Sequence, residues 1–102
     1  MRNTFLFLTL FSAFTFANDC DYYLKMGAAQ ENIAAKAYSN ADLVKTKKHL
    51  KFALSNYMSG FKPCLNTKRE DELLNSSARV NNILTDENFR NTVRLQQFFR
   101  KK

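Results

Sequence analysis

The two cysteines, Cys20 and Cys64, limit the folds open to this chain more than any other feature of its sequence. They lie at the outer ends of two stretches, 21–38 and 43–61, whose apolar residues recur with the spacing of an α-helix. Packing of these helices as an antiparallel hairpin brings both cysteines to the end opposite the connecting loop. A disulfide at that end would close the hairpin and contribute roughly 4 kcal/mol in the chain-entropy account.

A leader-like segment opens the chain. Arg2 supplies a positive charge, residues 4–16 are apolar or small, and Ala17 ends the run. A basic start, a short apolar run and small residues at positions −3 and −1 are typical of a secretory signal peptide. The run is shorter than the ~20 residues of a membrane-spanning helix, which favours cleavage after Ala17 over a membrane anchor. The sequence therefore predicts a signal peptide over 1–17 and a single exported domain over 18–102.

Both cysteines fall in the predicted exported part, where an oxidising environment favours a disulfide. A redox-active pair is a weaker interpretation, because such pairs usually have the spacing Cys-x-x-Cys. A zinc site is also weaker, because it needs more ligands and His49 is the one histidine of the chain. The short leader and the Lys- and Asn-rich composition favour a bacterial periplasm, with a fully extracellular location as the alternative.

Regular apolar spacing and few turn residues predict an all-α fold. Two glycines and one proline are too few for the tight turns of an all-β domain. Asp42 is the expected N-cap of the second helix, and Gly60 followed by Pro63 is its expected end. A third segment, 68–99, is also helical, either as one bent helix or as two with a break near Thr85. The predicted architecture is a disulfide-stapled helical hairpin plus one or two further helices, a three- or four-helix bundle.

The spacing also predicts which residues of the helices face inward. Glu31 falls mostly away from the apolar stripe of the first helix and is expected on the outer face. Thr67 and Glu70 have the spacing of a capping box at the start of the third segment. The residues expected on the inner stripe of the first helix are Tyr22, Met26, Ala29, Ile33 and Ala37.

Residues 32–54 resemble a single tetratricopeptide-type hairpin. The resemblance rests on a large and a small residue in the first helix, a polar loop with an aspartate, and a small residue, a bulky residue and an Ala-Leu pair in the second. These residues are Ile33, Ala34, Asp42, Thr46, Leu50, Ala53 and Leu54. The resemblance implies protein or peptide binding without catalysis.

The same hairpin departs from the tetratricopeptide pattern at several positions. Ala34 replaces the usual glycine, Thr46 the usual alanine, Gln30 the early tryptophan and Met58 the closing proline. No second copy follows at a fixed period, whereas a solenoid needs about three repeats. Any tight crossing of two helices also requires small residues, so that simpler explanation stays open.

Basic residues are concentrated in two blocks. Residues 45–69 carry seven basic and no acidic side chains, and residues 90–102 carry five basic ones. Such surfaces attract acidic protein faces, anionic lipids or cell-wall polymers. The alternative, which the sequence favours, is solvation and internal pairing with acidic residues at 70–72 and 86–87. Nucleic acid is disfavoured in an exported protein with few aromatics among its basic residues. The expected basic face of the second helix consists of Lys45, Lys48 and Lys51.

No pattern in the chain indicates catalysis. His49 has no carboxylate nearby in sequence to orient it as a general base. The acidic residues lack the spacing of a calcium loop, and two glycines cannot supply a glycine-rich phosphate loop. We therefore expect no enzyme activity, no metal and no cofactor.

The C-terminal segment is the predicted partner-binding site. Its apolar residues exceed what a hairpin and a narrow third stripe can cover, and arginines rim them, as in many protein interfaces. The partner would be another protein or a second copy of this chain. In the alternative, the segment closes a four-helix core. The predicted docking residues are Phe89, Arg90, Arg94, Leu95, Phe98, Phe99 and Arg100.

These features together predict an exported, non-enzymatic helical protein that acts as a protein-binding or structural accessory subunit of an envelope assembly. One alternative is a secreted inhibitor or immunity-type protein that covers the active site of another protein. A second alternative is a cationic protein that binds a membrane surface.

Overall fold

The computed structural model describes the backbone over residues 2–86, 89 and 92–100, and the side chains over residues 19–86, 89 and 93–100. This described part contains only helices, which confirms the all-α prediction. None of these helices has the combined length and apolar character needed to cross a membrane. The helices are α1 (Arg2–Ser39), α2 (Leu43–Ser59), α3 (Phe61–Cys64), α4 (Glu70–Leu84) and α5 (Thr92–Arg100).

The predicted leader continues directly into the first helix. Residues 2–17 form the N-terminal turns of α1, and the core residues of α1 that the structure describes begin at Cys20. Cleavage after Ala17 stays a prediction, and it would leave a helix that begins near Cys20, as the sequence indicates.

A tight turn joins α1 to α2. Ala41 adopts a φ of 60°, in the left-handed region, which reverses the chain within three residues. The Asp42 carboxylate accepts a hydrogen bond from the backbone N–H of Lys45 at 3.0 Å. It satisfies one of the free N–H groups of the first turn, so the predicted N-cap is confirmed.

Small residues let α1 and α2 approach closely. Ala34, Thr46 and Ala53 are each completely buried at the crossing, together with Leu50. Further along, Gly27 faces the ring of Tyr57, and a Cβ atom at Gly27 would lie 2.6 Å from Cζ. A side chain at this position would therefore clash with the Tyr57 ring, which would have to move.

The prediction of which residues of α1 face inward is wrong, because the buried face of the helix is rotated away from the predicted stripe. Tyr22 is 52% exposed and Ile33 is 39% exposed, although both were expected inside. Ala29 is also exposed, whereas Ala37 is buried as expected. The close crossing selects small residues rather than the most apolar ones, and this turns the larger side chains outward. The buried positions of α1 are Cys20, Leu24, Gly27, Glu31, Ala34 and Ala37.

The predicted disulfide is confirmed. Gly60 ends α2, and the four-residue helix α3 carries Cys64 to Cys20 of α1 with an S–S distance of 2.02 Å. Both cysteines are buried, and the bridge lies at the end of the hairpin opposite the turn at 40–42. The Cα atoms are 4.9 Å apart, so the bridge fixes the start of the packed part of α1 against α3.

The predicted capping box at the start of α4 is wrong, because Thr67 is not the residue that precedes the helix. Arg69, rather than Thr67, is the residue that precedes the helix. Thr67 donates its hydroxyl to the Cys64 carbonyl at 2.7 Å and accepts from the Arg69 N–H, while the Glu70 carboxylate accepts from the Asn66 N–H at 3.0 Å. The short turn after the disulfide therefore uses the polar groups that the sequence assigned to the helix end.

The third predicted segment forms two helices. α4 ends at Leu84 and is capped by Thr85, whose hydroxyl donates to the Asn81 carbonyl at 2.9 Å, and α5 begins at Thr92. The buried face of α4 consists of Leu73, Ser77, Val80 and Ile83. Leu95 and Phe98 of α5 complete the same core.

Candidate interaction surfaces

Most of the apolar side chains predicted to dock a partner lie in or against the core. Leu95 is completely buried and Phe98 is 7% exposed, so the expectation of an exposed apolar face is wrong for both. Phe99 is half-buried and stacks on Tyr38 with ring centroids 5.1 Å apart. Phe89 is also half-buried. α5 therefore closes the core, as in the alternative, because it covers the open ends of α1 and α4.

The arginines of this segment differ in their surroundings. Arg94 forms an ion pair with Asp86 at 2.7 Å, which ties α5 to the end of α4. Arg100 is exposed, and Arg90 lies outside the described residues. Partner binding at residues 89–100 stays a prediction. The apolar surface that this segment exposes is smaller than the sequence led us to expect.

The predicted basic face of α2 is exposed. Lys45, Lys48 and Lys51 lie on the outer side of the helix, and so does Lys47. None of these lysines forms an ion pair with an acidic side chain that the structure describes, so the predicted pairing with residues 70–72 and Asp86 is wrong and the predicted solvation of this face agrees with their exposure. Glu87 lies outside those residues.

Arginines, not lysines, form the ion pairs within the described part of the chain. Arg69 bonds to Asp21 at 2.6 Å and to Glu72 at 3.0 Å, which connects the start of α4 to α1. Both bonds raise the pKa of the Arg69 guanidinium, the Glu72 bond more than the Asp21 bond. The planar guanidinium can hold two carboxylates in fixed directions, whereas an ammonium acts as a point charge.

An apolar groove lies between α2 and α4. A cavity of about 250 Å³ opens there. A second depression along α2 shares Leu54 and Met58 with it and is bounded at one end by Lys51. Met58 is 55% exposed and Phe61 is 41% exposed, so large apolar side chains line the groove and remain open to solvent. The cavity is lined by Leu54, Met58, Phe61, Ser77, Ala78 and Asn81.

A buried polar cluster at the centre of the fold was not predicted from the sequence. Glu31 is 1% exposed, although it was expected on the outer face of α1. Arg79 of α4 holds it in a two-pronged contact, with Nη1 2.8 Å from Oε1 and Nη2 2.9 Å from Oε2. Tyr57 of α2 donates its hydroxyl to the same Oε2 atom. The carboxylate is therefore compensated by the charge of Arg79 and by hydrogen bonds from Arg79 and Tyr57 to Oε2, as a buried charge requires.

The surroundings of Tyr57 keep its phenol protonated. Burial raises the pKa of Tyr57 most, and the hydrogen bond to Glu31 and the negative charge of Glu31 raise it further. Arg79 opposes this effect and is itself covered by the Phe98 ring, whose centroid lies 4.8 Å from Cζ. The cluster joins side chains of α1, α2, α4 and α5, with Arg79 at its solvent-facing edge, so it links the four helices to one another.

The environment of His49 does not resemble a catalytic centre. Its Nδ1 atom lies 2.7 Å from Oε1 of Gln30, and its ring contacts the edge of Phe52. An amide can orient the ring but cannot stabilise an imidazolium as a carboxylate does. Within the described residues, no group of three or more His, Cys, Asp and Glu side chains could hold a metal ion.

The residues that resemble a tetratricopeptide hairpin lie at the contact between α1 and α2. Ala34, Thr46, Leu50 and Ala53 are buried there, while Ile33 is partly exposed. This placement agrees with the simpler explanation that a tight crossing requires small residues. No family model, curated protein or solved structure matches the chain, so the tetratricopeptide resemblance stays a prediction that rests on these residues.

Proposed function

We propose that this chain is an exported, non-enzymatic helical module that binds another protein as an accessory subunit of an envelope assembly. The observation that carries the proposal is the open apolar groove between α2 and α4. The groove lies on a hairpin whose two helices are held by the Cys20–Cys64 bridge. A rigid framework that presents an apolar groove loses little conformational entropy when a partner docks.

The lining of the groove favours an amphipathic helix of the partner protein. Met58 and Phe61 offer a flexible thioether and an aromatic ring, side chains that protein interfaces use as anchors. Lys51 is the one charged side chain that lines the two depressions. The docking helix would therefore present an apolar face with an acidic residue at the end that meets Lys51.

Two features support export. The disulfide needs an oxidising compartment, and the segment 1–17 has the order of residues that signal peptidases recognise. A periplasmic location is the form of export that we propose.

A non-enzymatic role is supported by the acidic side chains, since four of them form structural ion pairs. They are Asp21, Glu31, Glu72 and Asp86.

Photo-crosslinking in the cells that make the protein tests this proposal. A photoreactive phenylalanine analogue at Met58 should give one defined crosslinked protein, because this side chain lies in the groove. The matched control is the same analogue at Leu65, which is 58% exposed outside the groove. Addition of Ala78→Arg, which places a long charged side chain in the groove, should abolish the Met58 crosslink.

Two results would contradict the groove proposal: equal crosslinking from both positions, or no crosslink from Met58. The identity of the captured protein separates the accessory subunit from the inhibitor. A structural component of the envelope supports the proposed role, whereas a hydrolase or toxin captured through its active site would replace it with an inhibitor or immunity function.

A further inference from the structure

The outer side of α2 combines lysines with exposed apolar side chains. Val44 is 83% exposed and Phe52 is 44% exposed, and both lie among the lysines of the same helix. The helix itself contains no acidic residue. The nearest one in sequence, Asp42, caps the helix through the Lys45 N–H. We name this surface the lysine face and define it as Val44, Lys45, Lys47, Lys48, Lys51 and Phe52.

The presence of lysine rather than arginine on this surface favours a lipid partner over a protein partner. Lysine is depleted at protein interfaces, where arginine and aromatic residues are enriched. In the described part of this chain, Arg69, Arg79 and Arg94 are engaged in ion pairs. Nζ of Lys48 lies 5.9 Å from the centroid of the Phe52 ring, so a charged and an apolar group stand side by side on this surface. Ammonium groups on lysine stems reach lipid phosphates while the apolar groups lie deeper.

We infer that the lysine face binds an anionic lipid surface; the face adjoins the protein-binding groove and shares Lys51 with the depression at its end. The ammonium groups contact the headgroup phosphates, and Val44 and Phe52 enter the boundary between headgroups and acyl chains. Each lysine close to an anionic membrane strengthens binding by about fivefold. Val44, Lys47, Lys48, Lys51 and Phe52 line a depression on this face, and its lysines supply the positive charge that attracts anionic headgroups.

Vesicle co-sedimentation tests this inference with the disulfide-bonded protein purified from the cells that make it. The protein should pellet with vesicles that contain phosphatidylglycerol and stay in solution with pure phosphatidylcholine. Replacement of Lys45, Lys48 and Lys51 by Gln should weaken binding by roughly 100-fold. The matched control replaces Lys25, Lys36 and Lys68, which are exposed elsewhere, and should change binding by less than about fivefold at the same net charge.

A tryptophan probe reports the depth of insertion. The chain has no tryptophan, so Val44→Trp introduces a single fluorophore on the lysine face. Its emission should shift to shorter wavelength with phosphatidylglycerol vesicles. Tyr22→Trp, at an exposed position of α1, should show no shift.

Three results would overturn the inference. They are no sedimentation of the wild-type protein with anionic vesicles, equal losses in the two triple variants, and retention on immobilised polyglutamate without vesicle binding. The last result would assign the face to an acidic protein. The Met58 crosslink is measured separately, so a failure of the groove proposal leaves this test intact.

Discussion

The guanidinium of Arg79 holds the buried carboxylate of Glu31 at 2.8 Å, across the interface between α4 and α1. Tyr57 of α2 bonds to the same carboxylate, and Phe98 of α5 covers the guanidinium. One ion pair therefore contacts four helices that come from distant parts of the sequence. A helix that slid by one turn would leave a buried charge uncompensated, so the cluster selects one arrangement of the helices.

Arg79→Met should lower the free energy of unfolding by about 2–4 kcal/mol, because Glu31 would lose its counter-charge. Arg79 is one-third exposed at 33%, which places the loss below that of a fully buried pair. The double variant Glu31→Gln/Arg79→Met should recover most of this loss. Urea denaturation of the wild type, both single variants and the double variant gives the coupling energy, and strictly additive losses would contradict the structural role.

The pKa of Tyr57 gives the stability a dependence on alkaline pH. In the unfolded chain a tyrosine ionises near pH 10, whereas burial and the bond to Glu31 raise the pKa of folded Tyr57. The stabilising contribution is therefore complete below about pH 10 and is lost as the pH rises above it. Wild-type stability should fall more steeply above about pH 10 than that of Tyr57→Phe.

The tyrosine absorbance provides an independent check of this prediction. Since Tyr57 stays protonated while the protein is folded, the phenolate signals of wild type and Tyr57→Phe should coincide until unfolding begins. An additional phenolate in the folded wild-type protein would show that Tyr57 ionises in place.

The disulfide should supply much of the stability of so small a domain. Cys64→Ser should lower the free energy of unfolding by about 2–4 kcal/mol, because the unfolded chain loses a constraint that limits its conformations. Guanidinium denaturation measures the change. The double variant Cys20→Ser/Cys64→Ser is the control for a newly freed thiol and should show the same loss. A change of less than about 0.5 kcal/mol would argue against a stabilising bridge.

Two variants of α5 separate a core role from an interface role. Leu95→Ala should cost about 2–4 kcal/mol, because it opens a cavity at a completely buried position. Val93→Ala, at a position that is 59% exposed, should leave the melting temperature nearly unchanged. If Leu95→Ala instead impaired self-association or partner binding without loss of stability, the C-terminal segment would be the docking site after all.

Local signals in the sequence are enough to predict the hairpin. Asp42 caps its helix through the N–H of Lys45, three residues on, so nearby residues determine this bond. Cys20 and Cys64 lie far apart, but they mark the two ends of regular helical patterns. The antiparallel hairpin alone therefore predicts that the two cysteines lie close together, whatever the positions of the other helices.

The buried cluster and the groove depend on contacts that no local pattern contains. Glu31 has a polar side chain at a position that periodicity assigns to the outside, and its partner Arg79 belongs to a later helix. The groove similarly combines Met58 of α2 with Ala78 of α4. Met58 lies at the surface of α2, and only the packing of α4 beside α2 makes it part of a groove.

The intact mass of the protein isolated from its producing cells, before and after reduction, tests the account most directly. We predict a chain that begins at Asn18, with a mass lower than that of the same chain fully reduced by two hydrogens. Reduction should then release two thiols, from Cys20 and Cys64. A protein that retains residues 1–17 and carries two free thiols would contradict both export and the disulfide-closed hairpin.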